Sequence, residues 1–143
     1  MKIEQLSIFI ENKAGRLANI TANLGEININ IKAISLADTS EFGILRLVVS
    51  DPQRAKKILR DRGFTVSLTQ VLAVKIPDKP GELGRLLQTL EKQSINIEYV
   101  YGVTESNKNH AVLIFGFDDL DKAVRVLSEE NITLIPMEEL MSE

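Results

Sequence analysis

Two short segments of this chain combine residue types suited to holding a small charged molecule: Asn12-Lys13-Ala14-Gly15-Arg16-Leu17 and Asp78-Lys79-Pro80-Gly81-Glu82-Leu83. Each stands where an alternating apolar run gives way to a helical one. Free backbone N–H groups at a helix start, with the positive end of the helix dipole, favour an anion such as a carboxylate. Glycine at positions 15 and 81 leaves no Cβ between a ligand and the backbone. Asn12 or Asp78 adds an oxygen that can accept from an ammonium group. The turn therefore suits both ends of a zwitterion, although the same residue types also serve as plain punctuation at a helix start.

A second feature accompanies each turn. Asn30 lies within Ile29-Asn30-Ile31, and Asn96 within Ile95-Asn96-Ile97. Alternation places the asparagine on the strand face opposite its two isoleucines. Asparagine has poor strand propensity, so its double occurrence calls for a ligand contact, a solvated strand start or common descent. Other chemistry is thin. His110 is the sole histidine, at the start of an expected strand, and there is no cysteine. No metal site, cofactor or catalytic constellation is expected, and the chain reads as a non-enzyme. Asp118, Asp119 and Asp121 cluster at a helix start, where the dipole accounts for them.

The elements that position these residues occur twice. Gly15 and Gly81 are separated by an offset of 66, which also carries Leu24 to Leu90 and residues 29–31 to 95–97. An offset of 68 carries Ala55, Leu59 and Thr65 to Ala123, Leu127 and Thr133. Each copy opens with a strand of period two (Leu6, Ile8, Ile10; Leu72, Val74, Ile76). A helical stripe follows: Leu83, Leu86, Leu87 and Leu90 in the second copy, and Leu17, Ile20 and Leu24 in the first. Two strands come next, near 28–38 and 43–50, then 95–104 and 110–117. The second helices start at Asp51-Pro52 and at Asp118, and stop at Gly63 and Asn131, residues that tolerate a left-handed C-terminus. Last strands are expected near 65–70 and 132–136. The order βαββαβ, at about 70 residues, is the split-βαβ unit. The fold class is thus α+β: two ferredoxin-like units in tandem, residues 1–70 and 71–143, with antiparallel sheets and helices on one face.

Totals narrow the function classes. The 143 residues are 44% hydrophobic and 26% charged, with a net charge of −3. No apolar run approaches the roughly 20 residues of a membrane span, and no signal peptide is evident, so a cytoplasmic location is the simplest expectation. Residues 1–71 carry 10 basic and 7 acidic side chains, against 7 and 13 in residues 72–143. Neither half has a dense basic stripe, and seven aromatic rings offer little stacking surface, so neither nucleic acid nor membrane is expected as a partner.

The pattern of strand, N/D-x-P/A-G-x-L, amphipathic helix and then N-I-N-I or S-I-N-I resembles the ACT domain family over nearly the whole chain, as two tandem copies. The resemblance implies a regulatory protein that binds a free amino acid at interfaces between paired modules. It implies ligand-lining roles for Asn12, Lys13, Ala14, Gly15, Arg16 and Leu17, and for Asp78, Lys79, Pro80, Gly81, Glu82 and Leu83. Asn30 and Asn96 match the family's ligand-contacting asparagine. A homodimer is expected, together with a partner enzyme of amino-acid metabolism. Two alternatives stand beside this: a regulatory subunit of a biosynthetic enzyme such as acetolactate synthase, or an interaction module without ligand. Serine-sensing members carry a histidine two residues before the turn asparagine; Ile10 and Ile76 stand there and argue against serine. Ala14 against Pro80 makes two identical sites the less expected outcome.

Overall fold

The computed structural model of the protein describes residues 2–38, 41–104 and 109–142. Its elements run β1 (Ile3–Glu11), α1 (Arg16–Glu26), β2 (Ile31–Asp38), β3 (Phe42–Val49), α2 (Pro52–Asp61), β4 (Thr65–Pro77), α3 (Glu82–Lys92), β5 (Ile97–Gly102), β6 (His110–Phe117), α4 (Leu120–Glu129), β7 (Thr133–Ile135) and α5 (Met137–Ser142). Two compact units result. Module one is Glu4–Thr69, and module two is Gln70–Glu143 together with Met1–Ile3. The fold is the tandem ferredoxin-like α+β arrangement.

In module one the strand order is β2-β3-β1 followed by the first stretch of β4. The β1–β3 and β2–β3 pairs are antiparallel, with Ile8 opposite Leu45 and Leu36 opposite Leu45. Leu6, Ile8 and Ile10 of β1 share one core with Ile20 and Leu24 of α1 and Ala55 and Leu59 of α2. Both helices therefore cover the same sheet face, because period two on β1 and period 3.6 on the helices converge there. Module two repeats this with β7-β4-β6-β5. Its core joins Leu72, Val74 and Ile76 to Leu86, Leu90, Ala123 and Leu127.

Five details differ from the sequence expectation. The strands expected near 65–70 and at Leu72–Ile76 are one continuous 13-residue strand, β4. No Gly or Pro punctuates Thr69-Gln70-Val71, so nothing breaks the extended backbone there. The strands β2 and β5 begin at Ile31 and Ile97, leaving Asn30 and Asn96 just ahead of them rather than inside. The cap of α4 is Asp119, which accepts from the Lys122 N–H at 3.1 Å, while Asp118 accepts from the Asp119 N–H. Leu83 is 39% exposed and leaves the buried stripe to Leu86 and Leu90. A short helix, α5, with Leu140 buried, follows the last strand.

Candidate functional site

The strand-to-helix turn has the same backbone in both modules. In module one the Asn12 N–H donates to the Glu41 carbonyl at 2.8 Å, Lys13 to Glu11 at 2.9 Å and Arg16 to Lys13 at 3.3 Å. Gly15 then caps α1 with φ 88, ψ −12, and the Asn19 N–H reaches its carbonyl at 2.9 Å. In module two Asp78 donates to Asn109 at 3.0 Å, Lys79 to Pro77 at 3.0 Å and Glu82 to Lys79 at 3.3 Å. Gly81 caps α3 with φ 89, ψ −14. A left-handed residue ahead of the helix costs an L side chain strain, which accounts for glycine at both positions. A Cβ built on either glycine meets nothing within 4 Å, so the space before each turn is open.

The turns differ in what they offer a ligand. Among the described residues, the N–H groups of Ala14, Gly15 and Leu17 have no partner in module one. Module two has those of Gly81 and Leu83 but no counterpart of the Ala14 N–H, since Pro80 carries none. Charges differ as well. Glu11 accepts from Lys13 at 2.9 Å and Arg16 at 3.4 Å, and the hydrogen bond and charge of Lys13, then the charge of Arg16, hold its carboxyl below the usual glutamate range. Pro77 occupies the equivalent position in module two, where Glu82 replaces Arg16 and pairs instead with Arg85 at 3.4 Å. Asp78 is exposed, and among the described residues its carboxylate has no partner.

The asparagines lie elsewhere. Glu11 pairs with Phe42 at the start of β3, whereas Ile31 pairs with Val49 at its end. Across the eight residues of β3, at ~3.4 Å per residue, the turn and Asn30 are about 24 Å apart. Asn30 is bound into the far end instead: its N–H donates to Ser50 Oγ at 3.0 Å, and the Ser50 N–H donates to its carbonyl at 3.0 Å. Module two repeats the separation, with Pro77 opposite His110 and Ile97 opposite Phe117. Within one module the two expected half-sites do not meet.

The space at the first turn is small. A cavity of about 60 Å³ lies between the turn and the β2–β3 pair, bounded by Asn12, Leu17, Leu36 and Gly43. A small-ligand pocket is typically ~300–1,000 Å³, so the turn and the β2–β3 pair alone do not enclose a ligand-sized site. Leu36 and Gly43 escaped the sequence reading because their place beside the turn depends on strand register. Gly43 faces Ile10 across β1–β3, and only that pairing brings it there.

A family model for the ACT domain pair matches residues 1–143. The chain belongs to the ACT domain family. ACT domains are regulatory, and the two ferredoxin-like modules here are the paired form. Among solved structures, protein BT0572 from Bacteroides thetaiotaomicron is 40% identical over 98% of this chain and 96% of its own, with a TM-score of 0.92. The regulatory subunit of aspartate kinase from Thermus thermophilus, in its ligand-free form, is 17% identical over 88% of this chain and 91% of its own, with a TM-score of 0.67. At that identity the likeness is one of fold. No curated protein sequence matches the chain. Among the described residues no helix is long and apolar enough to cross a membrane.

Proposed function

We propose that this ACT domain pair is a non-enzymatic, cytoplasmic regulatory protein that binds a free amino acid at its strand-to-helix turns. The observation that carries the reading is the recurrence, in two modules of different sequence, of a left-handed glycine with unpartnered N–H groups opening onto empty space. The ligand carboxylate takes the N–H groups of Gly15 and Leu17, or of Gly81 and Leu83. Its ammonium takes the oxygen of Asn12 or Asp78. The flanking Lys13, Ala14 and Arg16, or Lys79, Pro80 and Glu82, form the rim, with Leu17 or Leu83 beneath the ligand side chain.

The cleft of about 60 Å³ and the separation of about 24 Å support a further element of the reading. A turn completed by Asn30 or Asn96 must take that asparagine from another module, and a homodimer as the binding form brings further modules to each turn. Output then passes to a separate enzyme of amino-acid metabolism. The fold likeness to the regulatory subunit of an aspartate kinase favours this over a ligand-free interaction module.

Isothermal calorimetry against the twenty amino acids tests the proposal. Binding is expected for at least one, with loss in Asn12→Ala or Asp78→Ala while the circular dichroism spectrum is unchanged. No heat from any amino acid at millimolar concentration would overturn it. Sedimentation as a concentration-independent 16.0 kDa species, with ligand present, would overturn the dimer.

A further inference from the structure

The two turns share a backbone and differ in what stands beside them. In module one Ile10 faces Gly43 across β1–β3, and Leu45, two residues further along β3, faces Leu36 on β2. In module two Ile76 faces Ala111 across β4–β6, and Leu113, two residues further along β6, faces Gly102 on β5. Residues directly opposite in an antiparallel pair share one face of the sheet. Ile10 and Leu45 belong to the helix-side core of module one, as Ile76 and Leu113 pack in that of module two. Leu36 and Gly102 are therefore equivalent, both on the helix side of an edge strand. The same register equates Gly43 with Ala111, and the offset of 66 equates Leu17 with Leu83.

An isobutyl group thus stands beside the first turn where the second has only hydrogen, and the Ala111 methyl restores a small part of that bulk. In module one Leu36 Cδ1 lies 3.4 Å from the place of a Cβ on Gly43, and Leu36 and Leu17 line the cleft of about 60 Å³ together. Leu17 is partly buried and packs on the core. In module two, among the described residues, a Cβ on Gly102 meets nothing within 4 Å. There Leu83 is 39% exposed, and Val100, on the same strand face as Gly102, is 43% exposed. The missing side chain on β5 and the uncovered leucine on α3 mark the same gap. Apolar surface left open beside a gap is covered favourably by an apolar group that fills it.

On the reading that the turns hold a free amino acid, we propose that Leu36 and Gly102 set the size of side chain each one admits. Leu36 restricts the first turn to small amino acids. Gly102 opens the second to a large apolar one, its side chain laid against Leu83 and Val100.

NMR titration of the isotope-labelled full chain with alanine, leucine and phenylalanine, each to about 10 mM so that a millimolar site saturates, tests it. The amides of Gly15 and Leu17 report the first turn, and those of Gly81 and Leu83 the second. A single methylene in an apolar pocket changes binding ~10-fold or more. Leucine or phenylalanine should therefore bind at least tenfold more tightly than alanine at the second turn, and at least tenfold more weakly at the first. Gly102→Leu installs the module-one residue and should abolish the preference at the second turn. Gly102→Ala, a smaller change to β5, should reduce it. Leu36→Ala should admit leucine to the first turn. Equal binding of alanine and leucine at Gly81 and Leu83, or a leucine preference unchanged in both Gly102 variants, overturns the size filter while the turn reading stands. A response at one turn alone keeps the filter only at that turn. Silence at all four amides overturns the filter, and the turn reading falls with it only if the remaining amino acids give no heat in calorimetry.

Discussion

The sharpest test of the turn geometry is a methyl group placed at four glycines. Gly15 and Gly81 have φ of +88 and +89, whereas Gly25 and Gly84 lie within α1 and α3 and have no such angle. At none of the four does a built Cβ meet an atom within 4 Å, so packing contributes equally little everywhere. Only backbone conformation distinguishes them. A left-handed L residue is strained by ~1–2 kcal/mol, from which a stiffer unfolded chain returns ~0.4–1 kcal/mol. Gly15→Ala and Gly81→Ala should each lose about 1 kcal/mol on balance. Within a helix the strain is absent and glycine itself is the poorer residue, so Gly25→Ala and Gly84→Ala should gain about 0.5 kcal/mol. Urea titration followed by circular dichroism reads these as shifts of midpoint at constant slope. Shifts of one sign for all four variants would refute the assignment of the turn. In Gly81→Ala the methyl also enters the open space before the helix, so amino-acid binding at that turn should fall at least tenfold.

Two further outcomes follow from local geometry. Glu11, held low first by the Lys13 hydrogen bond and charge and then by Arg16, should titrate below the ordinary 4.5 in an NMR pH series, and Lys13→Gln should raise its midpoint. Because the folded value lies below the unfolded one, the pair's stabilisation is complete above about pH 4.5 and is lost as pH falls through the folded value. At Gly116, a Cβ would lie 2.3 Å from the Tyr99 ring, so Gly116→Ala should cost ~1–3 kcal/mol by overpacking. Module one carries the reverse pairing, Ala33 opposite Val48, so Tyr99→Ala with Gly116→Val should be more stable than the sum of its single changes, by thermal unfolding.

The fold was readable because its signals are local. Period two in Leu6, Ile8 and Ile10, period 3.6 in Leu86 and Leu90, and the cap at Asp51 each depend on a few neighbouring residues. The seams were harder. Ile29-Asn30-Ile31 alternates like a strand, yet Asn28 at φ 61 and Ser94 at φ 57 end the preceding helices so late that pairing begins only at Ile31 and Ile97. The candidate site was legible in part for the same reason. A turn glycine shows itself in sequence through the residues around it. The distance between Asn12 and Asn30 does not, since it depends on which end of β3 each faces.

Duplication supplied one backbone twice, and the side chains have since made the two turns electrostatically different. Glu11 draws Lys13 and Arg16 toward itself and leaves the first turn with a positive excess and the Ala14 N–H in hand. Pro77 and Pro80 remove that carboxylate and that N–H from the second turn, where Asp78 and Glu82 add negative charge. A carboxylate should therefore be held more firmly at the first turn, and an ammonium at the second. The same substitutions change the strand ends. Phe9 and Phe42, stacked at 5.0 Å and 51% and 39% exposed, stand where module two has Lys75 and His110. A chain with two equal sites would have no use for these differences. Two sites that respond to different ligand concentrations, or to different amino acids, require a difference of this kind.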